Sequence, residues 1–392
     1  MTDSATPASD VTPPQYAWAE HLIWMEGGEP VTSSAPVRQW PGVVLALCLT
    51  LVAMGIPMVL NAAGWTKASL VDPVLVGMLL GLVVGNTAAA ARWLPGMSVT
   101  VRKILPIGII LLGARMDFFE AMRVGLPGLG LSAAVVVCSL ILLLVFGRIF
   151  KIENRLALLL GVGTGICGGT AIVAIAPILS ARDRDIMLGV GLVTLLGLIG
   201  MLVLPVIAGW LGLSQTQFGL VAGLTIHQTP QVIASGFAYG DEAGQVATVA
   251  KLARVCLLAP MAVILGWWVS RQPSLDGGMG GPGKAKPWYR LLPGFALGFL
   301  ILAVVRSMGL LPSMHFEWSG LVGAGDVGVD FDLAKVLKKI SGILLAMGMV
   351  AVGYQTRLSQ AKDIGWRPIV AASAASGILA VLVILIVKLF FS

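Results

Sequence analysis

The chain has 392 residues, 57% of them hydrophobic and 11% charged, with a formal net charge of +7. A charge share less than half the roughly 25% of an ordinary soluble domain excludes a water-soluble globule, because so few polar residues cannot cover its surface. The basic residues sit singly or in twos and threes beside apolar runs, which excludes a nucleic-acid footprint and fits the loops of a polytopic membrane protein.

Residues 1–40 are polar, acidic and rich in Pro, Ser and Thr, without a signal-peptide pattern, and are expected to form a cytoplasmic tail. Within it, the stretch from Tyr16 to Met25 has the composition either of an interfacial helix or of a disordered tail. Apolar runs follow at about 42–60, 72–90, 103–120, 125–147, 156–180, 186–211, 216–240, 245–269, 288–308, 334–356 and 367–391, each near the roughly 20 residues that a crossing helix needs. The expected fold class is an all-α polytopic membrane protein of about eleven transmembrane helices. Its parts are a transmembrane bundle over 41–270, a Gly- and Pro-rich cytoplasmic linker over 271–287, and a second bundle over 288–392.

With the N-terminus inside, 14 of the 26 Lys and Arg fall on the cytoplasmic side and 8 on the other, while Arg115, Lys251, Arg254 and Arg306 lie at membrane depth. The positive-inside rule therefore places the N-terminus in the cytoplasm. The four cysteines, Cys48, Cys138, Cys167 and Cys256, have no metal-ligand spacing, and three of them read as buried thiols. With three scattered histidines and no nucleophile elbow, HExxH or Walker loop, no catalytic or metal constellation is expected.

Two internal similarities stand out. At an offset of 60, Gly163, Ile166 and Ala174 meet Gly223, Ile226 and Ala234; at 240, Gly108, Gly113, Ala121 and Gly125 meet Gly348, Gly353, Ala361 and Gly365. Inverted repeats require antiparallel partners. In an eleven-span count the fifth and seventh runs are parallel, so the first similarity requires an extra crossing or a re-entrant segment between Pro205 and Gly223, or else is accidental.

Three segments carry polar chemistry where continuous apolar helix is expected. GVGTGICGGTAIVAIAP, from Gly161, packs five glycines into nine positions, and at about 1 kcal/mol each relative to Ala they disfavour an unbroken helix. A half-helix starting near Thr170 would offer N-terminal amides to an anion, with Gly168 and Gly169 at the break and Thr164, Cys167 and Thr170 as small polar groups. The alternative is close packing by small residues. The second segment holds Thr225, His227, Gln228, Thr229, Pro230 and Gln231, where Pro230 favours another break. His227 there is a substrate ligand, a proton carrier or a structural histidine. The third places Lys251 and Arg254 on one helix face, to be answered by a bound anion, by Asp241 or Glu242, or by snorkelling to the interface. Arg115 and Asp117 form a mutual pair or part of a translocation path.

GTGICGGTAIVAIAP (163–177), IHQTPQVIASG (226–236) and KLARVCLLAP (251–260) together resemble the motifs of the YeiH-like sulfate-exporter family of bacterial inner-membrane proteins, from about residue 42 onward. The resemblance implies export of sulfate or a related small anion. CGGTA beside an interrupted helix is also similar to a motif of the bile acid:sodium symporters, which implies inverted repeats with crossed, broken helices. Gln228 stands where the family has an acidic residue after its His, and Thr229 and Pro230 replace Val and Ala. That removes the carboxylate but keeps an amide able to ligate Na+ or an oxyanion.

The expected function is secondary transport of a small anion by alternating access, with a passive channel or a scaffold as the alternative. No cofactor is expected beyond Na+ or H+ as coupling ion. The partners are the lipid bilayer and the anion, with a homo-oligomer left open and no nucleic acid. The expected substrate-binding residues are Thr164, Cys167, Gly168, Gly169, Thr170, His227, Gln228, Thr229, Gln231, Lys251 and Arg254. Arg115, Asp117 and His227 are candidates for coupling or path.

Overall fold

A computed structural model describes residues 39–62, 72–87, 90–115, 118–269, 271, 294–310, 313–318, 327–356 and 364–391. Most of the tail 1–40 and of the linker 271–287 lies outside them. The helices are α1 Trp40–Ala62, α2 Pro73–Gly85, α3 Leu94–Val99, α4 Leu105–Leu112, α5 Phe118–Ile149, α6 Asn154–Gly165, α7 Gly169–Ile175, α8 Asp183–Trp210, α9 Gln215–Thr225, α10 Thr229–Tyr239, α11 Asp241–Cys256, α12 Leu258–Val269, α13 Gly294–Ser307, α14 Leu333–Gln355 and α15 Trp366–Phe390. A π-helical turn at Thr100–Ile104 joins α3 to α4.

Among the described residues, seven stretches are long and apolar enough to cross a membrane: Trp40–Leu60, Leu94–Leu112, Gly128–Ile149, Arg184–Trp210, Asp241–Val269, Leu333–Gln355 and Trp366–Phe390. Two shorter apolar helices, Pro73–Gly85 and Gly294–Ser307, accompany them. The protein is thus a polytopic α-helical membrane protein. Large apolar side chains on the outer helix faces, such as Leu51, Met58, Val381 and Leu385, are exposed because lipid is their solvent. The same reason corrects the reading of the thiols: Cys167 alone is buried, Cys138 is half-buried, and Cys48 and Cys256 lie on outer faces. Between α13 and α14 runs an antiparallel pair that the sequence reading did not anticipate, β1 Ser313–Trp318 with β2 Val327–Asp332, Ser313 opposite Asp332.

The runs at 156–180 and 216–240 do not cross. Each is a hairpin of two half-length helices whose ends lie side by side. In the first, Arg182 pairs with Glu153 at 3.0 Å and Arg155 donates to the Ser180 carbonyl at 2.8 Å, so entry and exit share one base. In the second, the Tyr239 hydroxyl donates to the Leu213 carbonyl at 2.6 Å, and the Tyr239 ring stacks on Phe218 with centroids 4.3 Å apart. At about 1.5 Å per residue, α9 and α10 are each roughly 16 Å long, half the roughly 30 Å apolar thickness, so the tips stop near mid-membrane.

Between the two hairpins runs α8, whose 28 residues at about 1.5 Å rise give roughly 42 Å, enough for one full crossing. The hairpins therefore enter from opposite faces. This removes the parity conflict: α6 and α9 run antiparallel, as partners in an inverted repeat must.

Glycines seat both hairpins on their neighbours. A Cβ on Gly223 of α9 would come within 2.6 Å of Ala250 Cβ on α11, and one on Gly236 of α10 within 2.8 Å of Gly244 Cα. On the other hairpin, Gly165 faces Val136 and Ser139 of α5, and Ser139 Oγ donates to the Gly161 carbonyl at 2.9 Å. The second similarity joins elements in contact, since Gly108 of α4 faces Leu345 of α14 while Gly348 of α14 faces Leu105.

Candidate functional site

The hairpin tips, 166–168 and 226–228, meet each other. Gly168 has φ +75° and ψ −129°, a conformation closed to residues with a Cβ, and a Cβ there would come within 2.9 Å of Gln228 Cγ. The first break thus follows from glycine. The second follows from Pro230, which lacks the N–H that a continuing helix would need and sits in the first turn of α10, where that loss costs nothing.

Each break ends a helix in the protein interior and frees backbone carbonyls that lipid cannot satisfy. Lys251 and Arg254 satisfy them. Lys251 Nζ donates to the carbonyls of Ile166 at 2.9 Å, Ile226 at 3.0 Å and His227 at 2.6 Å. Arg254 donates through Nε to Gly165, through Nη2 to Thr164, and through Nη1 to Leu224 at 2.6 Å and Gly223 at 3.5 Å. Both side chains are fully buried. Two cations of α11 thus cap the negative ends of α6 and α9 together. The sequence left open what answers these charges. Asp241 and Glu242 do not, for Asp241 pairs with Lys338 at 3.3 Å and Glu242 accepts from the Thr216 hydroxyl.

Around the same junction lies a shell of polar side chains. His227 Nε2 is 3.1 Å from Ser376 Oγ on α15; Gln228 Nε2 donates to Thr194 Oγ1 at 2.6 Å, and Gln231 Nε2 to the Thr194 carbonyl at 3.0 Å, both on α8. Thr164 Oγ1, His227 Nδ1 and Gln231 Oε1 are buried and hydrogen-bond no group among the described residues. Cys167 is buried beside Lys251 and Arg254. Thr229 is buried, whereas Thr170, at the start of α7, is exposed.

The structure therefore brings Thr164, Cys167, Gly168, Gly169, Thr170, His227, Gln228, Thr229, Gln231, Lys251 and Arg254 to one junction. Arg115 lies in the 3₁₀ turn Gly113–Arg115 at the end of α4, away from the hairpin segments in the chain, and Asp117 lies outside the described residues. Three members were missed by sequence reasoning: Thr194 and Gly197 on α8, and Ser376 on α15. A small polar residue or a glycine in an apolar helix is too common to mark a site. Gly197 leaves the room that the Gln231 side chain occupies.

Comparisons with known proteins place the chain among membrane proteins. The profile of a family described as conserved hypothetical protein 698 matches residues 41–372, a range that includes both hairpins. A UPF0324 membrane protein of Bordetella bronchiseptica is 33% identical over 305 residues, covering 76% of this chain and 87% of its own. UPF0324 membrane protein TauZ of Paracoccus denitrificans is 36% identical over 281 residues, covering 69% and 81%. A UPF0324 membrane protein of Bradyrhizobium diazoefficiens is 32% identical over 330 residues, covering 83% and 86%. No solved structure matches.

Proposed function

The chain belongs to the conserved hypothetical protein 698 family, a YeiH-like family of UPF0324 membrane proteins, and we propose that within it the chain is a secondary transporter of a small anion, sulfate or a related sulfur oxyanion. The observation that carries this reading is the junction of two opposed half-helix hairpins, where the buried Thr164 Oγ1, His227 Nδ1 and Gln231 Oε1 hydrogen-bond no group among the described residues. Beside it begins α10, whose first-turn amides favour negative charge, and behind the tips lie two buried cations. An anion entering from either face meets the same groups, as alternating access around a fixed midplane site requires.

Orientation follows from charge. The base of the first hairpin carries Arg148, Lys151, Arg155, Arg182 and Arg184, whereas the second has no Lys or Arg within 211–240 and meets Lys338 through Asp241 and Lys388 through the Leu211 carbonyl. By the positive-inside rule the first hairpin opens to the cytoplasm of a bacterial inner membrane, and with Pro73–Gly85 as a fourth crossing beside Trp40–Leu60, Leu94–Leu112 and Gly128–Ile149 the N-terminus lies on that side. His227, bonded to Ser376 through Nε2 and with no described partner at Nδ1, is a residue we assign to contacting the anion.

The test is uptake of labelled sulfate, sulfite and thiosulfate into proteoliposomes under imposed pH or Na+ gradients. Saturable, counterflow-stimulated uptake that falls in Thr164→Val and Gln231→Leu without loss of thermal stability is the expected result. Non-saturating flux would make the protein a channel, and no flux of any oxyanion would make it a scaffold.

A further inference from the structure

The carbonyls at the junction form a cradle of the kind that a free monovalent cation takes. Carbonyls at half-helix C-termini lie at the negative ends of their dipoles, and unwound carbonyls in such places coordinate Na+ in transporters with discontinuous helices. Here the cradle is buried and already filled by the chain's own side chains. Neither Lys251 nor Arg254 pairs with a carboxylate among the described residues, so backbone oxygens alone receive their donors.

Lys251 Nζ has three carbonyl oxygens at 2.6–3.0 Å. An ammonium has three N–H donors and a neutral amine two, so the triad matches the charged form. Two of the three acceptors, Ile166 and Ile226, are equivalent positions in the two hairpins, 60 residues apart. One positive centre is thus shared between matching carbonyls of elements that enter from opposite faces, as a single bound ion would be. Arg254 bonds neighbouring carbonyls through a planar fork, a shape that no simple ion copies.

We infer that Lys251 is a tethered monovalent cation. Its ammonium fills a latent cation site made by the carbonyls of Ile166, Ile226 and His227, and does the work that a free Na+ or K+ would do in holding the two tips together. The intact protein accordingly takes up no free cation at this position, and truncating Lys251 uncovers a site for Na+, K+ or a small alkylammonium. The inference stands on carbonyl geometry. Only its bearing on coupling, that Na+ does not enter the tip junction during the cycle, rests on the transporter reading.

The experiment compares thermal unfolding of the full-length wild-type protein, Lys251→Ala and Lys251→Met in detergent. The salts are choline, sodium, potassium and methylammonium chloride at equal ionic strength. Expected are a wild-type midpoint indifferent to the cation, and a Lys251→Ala midpoint that falls in choline and recovers saturably with at least one small cation. Lys251→Met, whose side chain fills the vacated space, should fall without recovering. Recovery of Lys251→Ala only when it is extracted in a small cation would also support the inference. A saturable cation shift in the wild type, or a Lys251→Ala protein that no cation stabilises or that cannot be obtained in any of these salts, would overturn it. Because the readout is stability, a protein that moves no anion still gives an answer.

Discussion

Gly168, held at φ +75°, lies directly against Gln228, so the two hairpins touch through a residue without a side chain. Gly168→Ala would force both a backbone strain of about 1–3 kcal/mol and a displacement of Gln228 from Thr194. Anion uptake should fall steeply, and the unfolding midpoint should drop. Gly209→Ala on α8, where a Cβ meets nothing within 4 Å, is the control and should leave both unchanged or raise the midpoint slightly.

The hairpins predict a pattern of sidedness that an eleven-span bundle does not. In a cysteine-free background, Glu153→Cys and Arg182→Cys should react with a membrane-impermeant maleimide from the same face, because the two residues touch. Gln215→Cys and Glu242→Cys should react from the opposite face. Labelling of Glu153→Cys and Arg182→Cys from different sides would mean that 156–180 crosses.

Arg254 should not tolerate lysine. Its guanidinium reaches four carbonyls on two hairpins, and an ammonium in its place cannot span that fork. Arg254→Ala leaves those carbonyls buried and unpaired, at about 1–3 kcal/mol for each that finds no other donor. Unfolding midpoints in detergent should therefore fall in the order wild type, Arg254→Lys, Arg254→Ala.

Gly197 and Gln231 should behave as a coupled pair. A Cβ on Gly197 would strike Gln231 Oε1 and come within 3.2 Å of His227 Cβ. Gly197→Ala should thus destabilise through Gln231, whereas Gln231→Ala alone loses a hydrogen bond worth about 1 kcal/mol. The double variant should be more stable than the sum of the singles implies, with a coupling energy of about 0.5–3 kcal/mol. Strict additivity in a double-mutant cycle would mean that the two do not share the space.

Much of the site was legible in the chain because lipid makes polar and glycine residues conspicuous. The glycine cluster at 161–169, the polar run at 225–231 and the Lys251 and Arg254 pair each interrupt apolar sequence, and all three converge. What was not legible is how the breaks are used. A run of 25 apolar residues reads the same whether it crosses or folds back, since each arm of a hairpin is as apolar as half a span. Thr194, Gly197 and Ser376 gave no signal because one small residue in a helix is ordinary.

The composition by itself determined that this is a membrane protein, since 11% charge cannot cover a soluble surface, and the order of residues marked where an unbroken helix is disfavoured. Only the tertiary structure decided that the breaks are hairpin tips entering from opposite faces. It also decided that Lys251 and Arg254 close those tips through backbone carbonyls. Those partners carry no sequence signature, because every residue has a carbonyl; which ones lose their helical donor is settled by where the chain turns back.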